Sequence, residues 1–193
     1  VELSGYVLMH STPVSFTVGG VVSSALPTGA KTEELGALVS HMYVQEEFVR
    51  AMEQALAPLD IEISMSVSSQ LCAALAIIPE KERVRPAILI DVGYTHTDVS
   101  IVENAALTDI RTIDIGGKHL SSDLAFGLDI PLETAEQVKR RFVFWQEPLS
   151  STEIVRTPTG AKRVDHAAIE LILEARAGEL VTMIRAALKE MGV

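Results

Sequence analysis

Apolar and polar positions alternate loosely over Tyr6–Val18, which predicts an antiparallel strand or a bent pair of strands. Gly19-Gly20 breaks the pattern, Leu26-Pro-Thr-Gly-Ala30 has the chemistry of a loop, and Leu35–Val44 reads as a second strand. The period then changes. Phe48, Met52 and Leu56 recur every four residues with Val49 beside them, predicting a helix over Gln45–Ala57 that Pro58 ends. Ile61-Glu-Ile-Ser-Met-Ser-Val67 alternates strictly and predicts a strand. Residues 1–67 therefore predict a small α/β module.

The rest of the chain, 68–193, alternates strands and helices differently. Ser68–Ile78 predicts a helix and Pro79–Pro86 a charged connector. Strands are predicted at Ala87–Asp91, Thr97–Val102 and Leu107–Ile115, the last two joined at Glu103-Asn104. Two helices follow, Leu120–Phe126 and Leu132–Phe142, the second with Pro131 at a favoured first-turn position. Residues 87–142 thus form a meander followed by helices. Residues 143–193 read as an edge hairpin around Thr157-Pro-Thr-Gly160 and a long amphipathic helix from about His166. Ile169, Ile172, Leu180, Ile184 and Leu188 lie on or near one face of that helix, and Gly192 ends it. No internal repeat or low-complexity stretch interrupts the pattern.

Composition narrows the classes. At 193 residues and 48% hydrophobic the chain can bury a sizeable core, and with 5% aromatics that core must be aliphatic. A formal net charge of −10 argues against nonspecific nucleic-acid binding and against broad docking on anionic lipid. The single cysteine, Cys72, excludes an internal disulfide and suits a reducing cytoplasm. Its apolar surroundings, Leu71–Ile78, predict a buried, inert thiol in a run too short to span a bilayer. The start, Val1-Glu2-Leu3-Ser4, has no basic or apolar leader, so no signal peptide is expected, and a chain beginning at Val is read as an internal segment of a longer protein.

The chemistry concentrates in Ala87-Ile-Leu-Ile-Asp-Val-Gly-Tyr-Thr-His-Thr-Asp98, where an apolar strand runs into an acid, a glycine and hydroxyls. Gly93 allows close backbone approach to an anion, successive N–H groups and Thr hydroxyls can form a concavity for it, and Asp91 can reach a metal-bound water. An ordinary tight hairpin explains the same residues. His10, His41, His96, His119 and His166 are scattered without ligand spacing, so no protein metal site is assigned.

Asp91–Asp98, Gly116–Asp123 and Pro131–Lys139 follow one another in an order that resembles the actin-like ATPase superfamily and, within it, the FtsA family of bacterial cell-division proteins. The resemblance covers most of the chain. It implies an α/β fold, an actin-like, ribonuclease-H-like core segment carrying a small inserted strand-helix-strand subdomain. The module Tyr6–Val67 corresponds to the insertion, which in the family contacts neighbouring subunits and other divisome proteins. The family loop Asp-Ile-Gly-Gly-Gly-Thr-x-Asp stands here as Asp91-Val-Gly-Tyr-Thr-His-Thr-Asp98, with Tyr94 and Thr95 replacing two glycines. Asp91, Gly93 and Thr95 are its phosphate and metal candidates, beside a loop that serves the fold alone. Gly116 and Gly117 match a glycine pair near the nucleotide, which a tight strand-to-helix turn also explains. Glu136 and Lys139 match a Glu-x-x-Lys pair on the nucleoside; three apart on a helix they share a face, as an ordinary ion pair would too. The hydrolytic glutamate of related filament ATPases is missing. Ser69-Gln70 occupies its place, leaving Gln70 as the catalytic candidate, able to orient a water. Ile172-Leu-Glu-Ala-Arg176-Ala-Gly-Glu-Leu180 resembles the FtsA segment that grips the carboxy-terminal peptide of the tubulin-like protein FtsZ. Arg176 would face an acidic group there; the other reading pairs it with Glu179 or Glu174.

The resemblance implies an adaptor that binds FtsZ and other divisome proteins, self-associates into filaments, and takes ATP with magnesium as a conformational ligand rather than as fuel. It would act in the cytoplasm at the inner face of the cell membrane at the division site. Membrane contact, the first phosphate loop and the adenosine motif would come from outside this segment. An active actin-like ATPase and a pilus-assembly (PilM-like) or chaperone-like relative stand as alternatives.

Overall fold

The computed structural model describes residues 3–26, 28–29, 31–146, 148, 150–158 and 160–193. The predicted loop at Leu26–Ala30 and the predicted hairpin tip therefore fall partly outside the described residues, at Pro27, Ala30 and Thr159. The chain divides into two compact units: Val1–Leu89 with Ser100–Ile110, and Ile90–Val99 with Arg111–Val193. Residues 68–89 fall in the first of these units.

In the first unit, β1 (Tyr6–Val18) is the centre of an antiparallel sheet, flanked by β2 (Val21–Ser23) and β3 (Leu35–Gln45). Gly19 and Gly20 take left-handed φ of 54° and 82°, which the tight β1–β2 turn requires. Register shifts between Leu8 and His10 and between Pro13 and Ser15 let β1 carry a proline. The second shift turns Val14 into the core, and its carbonyl accepts a hydrogen bond from Asn104 Nδ2 at 2.7 Å.

The predicted helix is α1 (Glu46–Leu56), but it buries no residue; Phe48 and Met52 are exposed. The strand predicted over Ile61–Val67 is not one. Those residues join no ladder among the described residues, and Ile61, Ile63, Met65 and Val67 are all exposed. Alternation prescribes a face, whereas a strand also needs a partner's N–H and C=O groups.

Helix α2 (Ser69–Ile77) is capped by Ser68, whose Oγ accepts from Leu71 N at 3.4 Å. It turns Leu71 and Ala74 onto Val102 and Leu107. Cys72 lies on the other side and is exposed, contrary to the buried thiol its apolar run predicts. Neighbouring residues on a helix point about 100° apart, so an apolar run does not bury all its members.

The predicted meander is present as β4 (Ala87–Val92), β5 (Thr97–Glu103) and β6 (Ala106–Ile113), in that spatial order, with β5 buried almost throughout. In the second unit follow α3 (Gly117–Leu128), α4 (Leu132–Arg141), the hairpin β7 (Thr152–Thr157) and β8 (Gly160–Asp165), and α5 (His166–Glu190). Pro131 caps α4 from outside instead of sitting in its first turn.

Leu124, Leu128, Val138, Val155, Ile169 and Leu173 form one core, and Val99, Ile113, Ile115, Leu180 and Ala187 another. Among the described residues every buried apolar residue is aliphatic, as the composition requires. Helices α3 and α5 approach closely at Gly127, where a Cβ would stand 2.6 Å from Ile172 Cδ1. Among the described residues no helix is long and apolar enough to cross a membrane.

Candidate functional site

The end of β4 delivers Asp91 to the surface, where its exposed side chain has no hydrogen-bond or ion-pair partner among the described residues. The chain then reverses over residues 93–96. Gly93 N donates to His96 O at 2.9 Å, and a Cβ on Gly93 would stand 2.9 Å from that same oxygen. Thr95 Oγ1 shares a hydrogen bond of 2.9 Å with His96 Nδ1. His96 Nε2 lies 3.6 Å from Asp98 Oδ2, and Asp98, 5% exposed, accepts from Thr112 Oγ1 at 2.5 Å. The turn therefore ends on a row of hydroxyl, imidazole, carboxylate and hydroxyl.

The start of α3 packs on this turn. Gly117 N donates to Gly93 O at 2.9 Å and Lys118 N to Tyr94 O at 2.7 Å, while Gly116 N donates to His119 Nδ1 at 3.1 Å. Gly116 has an extended backbone, so its identity is set by space. A Cβ there would stand 2.6, 2.7 and 2.8 Å from Gly93 O, Tyr94 O and His96 N.

Glu136 and Lys139 on α4 do share a face and meet at 2.7 Å. The same Glu136 oxygen accepts from Ser121 Oγ at 2.5 Å, and its other oxygen from Arg140 Nε at 2.8 Å. These partners, Lys139 first, then Ser121 and Arg140, hold the carboxyl down at a pKa of about 2. Lys139 Nζ also donates to Gly117 O at 2.9 Å and lies 5.8 Å from the centre of the Tyr94 ring.

Gly93, Gly116, Gly117, Glu136 and Lys139 are thus linked by direct contacts, with Thr95 in the same turn and Asp91 two residues before Gly93 in the chain. Asp91 is open and Thr95 is exposed, but the first amides of α3, Glu136 and Lys139 are already partnered. Gln70 lies in the other unit, on α2, where Ser69 Oγ donates to its Oε1 at 2.8 Å.

Arg176, read as facing a partner's acidic group or as pairing with Glu179 or Glu174, is a clamp between α3 and α5. Its Nε and Nη2 reach the two Asp123 oxygens at 2.6 and 3.1 Å, and Nη1 reaches Glu179 Oε2 at 2.5 Å. The Asp123 pair raises its pKa further, so it stays charged. The pairing with Glu179 was an alternative visible in the sequence; Asp123, on α3, was not. Arg176, Asp123 and Glu179 rim a groove of about 320 Å³ floored by Gly127, Ile172 and Ala175, with Phe126 standing 92% exposed at its edge.

Sequence reading missed Ser121, His96, Asp98, Asp123 and Phe126. Ser121 and Asp123 lie within Gly116–Asp123, but nothing in that stretch names the α4 and α5 partners they reach. Among the described residues no group of three or more His, Cys, Asp or Glu is placed to hold a metal ion.

Residues 88–185 match the family model for cell division protein FtsA. The chain is 23% identical over 190 residues to cell division protein FtsA of Pseudomonas aeruginosa, covering 96% of this chain and 46% of that protein. It is 27% identical over 177 residues to the Bacillus subtilis protein of the same name, covering 89% and 37%. It spans less than half the length of these relatives.

Among solved structures it is similar to MreB5 of Spiroplasma citri bound to AMPPNP, with TM-score 0.61, 20% identity and coverage of 76% of this chain and 48% of that one. It is also similar to a chain of the PilM-PilN type IV pilus biogenesis complex, with TM-score 0.62, 15% identity and coverage of 96% and 45%. These likenesses show an actin-like fold.

Proposed function

This chain belongs to the FtsA family of cell-division proteins, and from that premise we propose that it is part of an adaptor of the actin fold that binds FtsZ and other divisome proteins. The observation that carries the reading is the α3–α5 groove. It joins an apolar floor and an exposed aromatic edge to a charged rim, the composition that receives an amphipathic peptide. The adaptor would self-associate into filaments and work in the cytoplasm, peripheral to the inner face of the membrane. Residues outside this segment would supply the membrane contact.

ATP with magnesium belongs to this reading as a conformational ligand, approaching by way of Asp91 and Thr95. An active ATPase is disfavoured, because Gln70 is no general base at neutral pH.

The groove is tested by binding of an FtsZ carboxy-terminal peptide to the intact protein, read by fluorescence anisotropy. Phe126→Ala removes an exposed ring without touching the core. It should weaken binding by roughly 1–2 kcal/mol while leaving thermal unfolding unchanged. Equal affinity of the two proteins would remove the groove from the interface.

A further inference from the structure

The α3–α5 groove carries its apolar floor and its charges at different ends. Gly127 faces Ile172, and Phe126 stands exposed at the edge there. Asp123, one turn before Gly127 on α3, meets Arg176, one turn after Ile172 on α5. Glu179 lies a further turn along and takes the other end of the guanidinium. Seven residues separate Ile172 from Glu179, about 10 Å of helix.

The charged end is negative. Asp123 and Glu179 both pair with Arg176, so two carboxylates stand against one cation and leave the rim at a net charge of −1. Among the described residues no other cation lines the groove. The Glu179 side chain is 52% exposed and that of Arg176 25%, so an incoming peptide meets the carboxylate first. A partner's acid would approach two carboxylates across a guanidinium already engaged, whereas an ammonium or guanidinium would find acceptors there. We propose that the partner of this groove is an amphipathic helical peptide with a lysine or arginine about two turns from the apolar side chain it seats against Gly127 and Ile172. This rests on reading the groove as the peptide site, and it reverses the charge expected of the group that arrives beside Arg176. Arg176 acts by holding both carboxylates at the rim rather than by gripping the partner.

The test is anisotropy of a labelled FtsZ carboxy-terminal peptide with the intact protein. Three forms are compared: the peptide unaltered, with every Lys and Arg replaced by Gln, and with every Asp and Glu replaced by Asn and Gln. Removing the cations should weaken binding about two- to fivefold, the worth of a partly exposed charge pair, and removing the acids should not weaken it. Glu179→Gln in the protein should weaken the unaltered peptide by a similar factor and shrink its advantage over the cation-free form.

The opposite reading predicts the opposite sign, because Glu179→Gln frees Arg176 for a partner's carboxylate. Tighter binding to Glu179→Gln, or weakening by loss of the acids alone, would therefore overturn the inference. Equal affinity of the three peptides, with Phe126→Ala still weakening all of them, would overturn it too while leaving the groove as the peptide site. A peptide that does not bind, or that binds Phe126→Ala as well as the wild type, would overturn the groove reading and this inference with it.

Discussion

Glu136 accepts from Lys139, Ser121 and Arg140, and its behaviour with pH can be stated. Folding holds its carboxyl at about 2 instead of 4.5, so the folded state favours the carboxylate. That contribution is fully present above 4.5 and is lost as pH falls towards 2. Glu136→Gln should therefore destabilise the chain by about 1–2 kcal/mol at neutral pH, and the deficit should shrink on acidification through that window. Urea denaturation of both proteins at several pH values measures it; a deficit independent of pH would assign the loss to packing. Gly116→Ala makes a different prediction, because three backbone atoms stand under 3 Å from the added carbon. The turn cannot yield as a side chain would, and a cost of about 1–3 kcal/mol is expected in the same assay. At this scale the sequence was partly legible. Glu136 and Lys139 are three apart on one helix, so their meeting was readable. Ser121, Tyr94 and Asp123 reach partners on other elements, and no local spacing announces that.

Among elements, α1 and α5 show the limits of periodicity from opposite sides. Both have an apolar face in the sequence. That of α5 is covered, with Ile169, Leu173 and Leu180 in the core, whereas α1 buries nothing. Periodicity tells which side chains share a face, and the cover has to come from elsewhere in the fold. Residues 61–67 repeat the lesson as an alternating segment with no ladder. Phe48→Ser should consequently change folding stability by less than about 0.5 kcal/mol, where a core phenylalanine would cost several times more. A loss above about 2 kcal/mol on chemical denaturation would mean that the α1 face is covered after all. The tie between α3 and α5 should behave in the opposite way. Arg176→Ala leaves the Asp123 carboxylate without its fork, at an expected cost of about 1–2 kcal/mol, and Arg176→Lys should recover part of it. Unchanged melting temperature for Arg176→Ala would mean that solvent replaces the pair at no cost.

At the scale of the whole molecule, family and fold were legible because three short motifs keep their order over a long span, although one of them has lost two glycines. The division into compact units was less so, since residues 100–110 return to the first unit after the chain has entered the second. The two units also differ in how much they bury. In the second, α3 and α5 place Leu124, Leu128, Ile169 and Leu173 in one aliphatic cluster. In the first, the cluster around Leu71, Ala74, Val102 and Leu107 is smaller, and the apolar residues of α1 and of 61–67 contribute little to it. Local opening free energy follows buried apolar contact, so the chain should not open as one body. Native-state hydrogen exchange in increasing guanidinium should release the α1 amides first, through a weakly denaturant-dependent opening that exposes little new surface. Amides in the middle of α5, around Leu173 and Leu180, should exchange last, by the opening that melts the second unit. If α1 and α5 exchanged with one free energy and one denaturant dependence, the exposed helix would be held by the same cooperative transition as the core, and small surface burial would be no guide to where this chain opens.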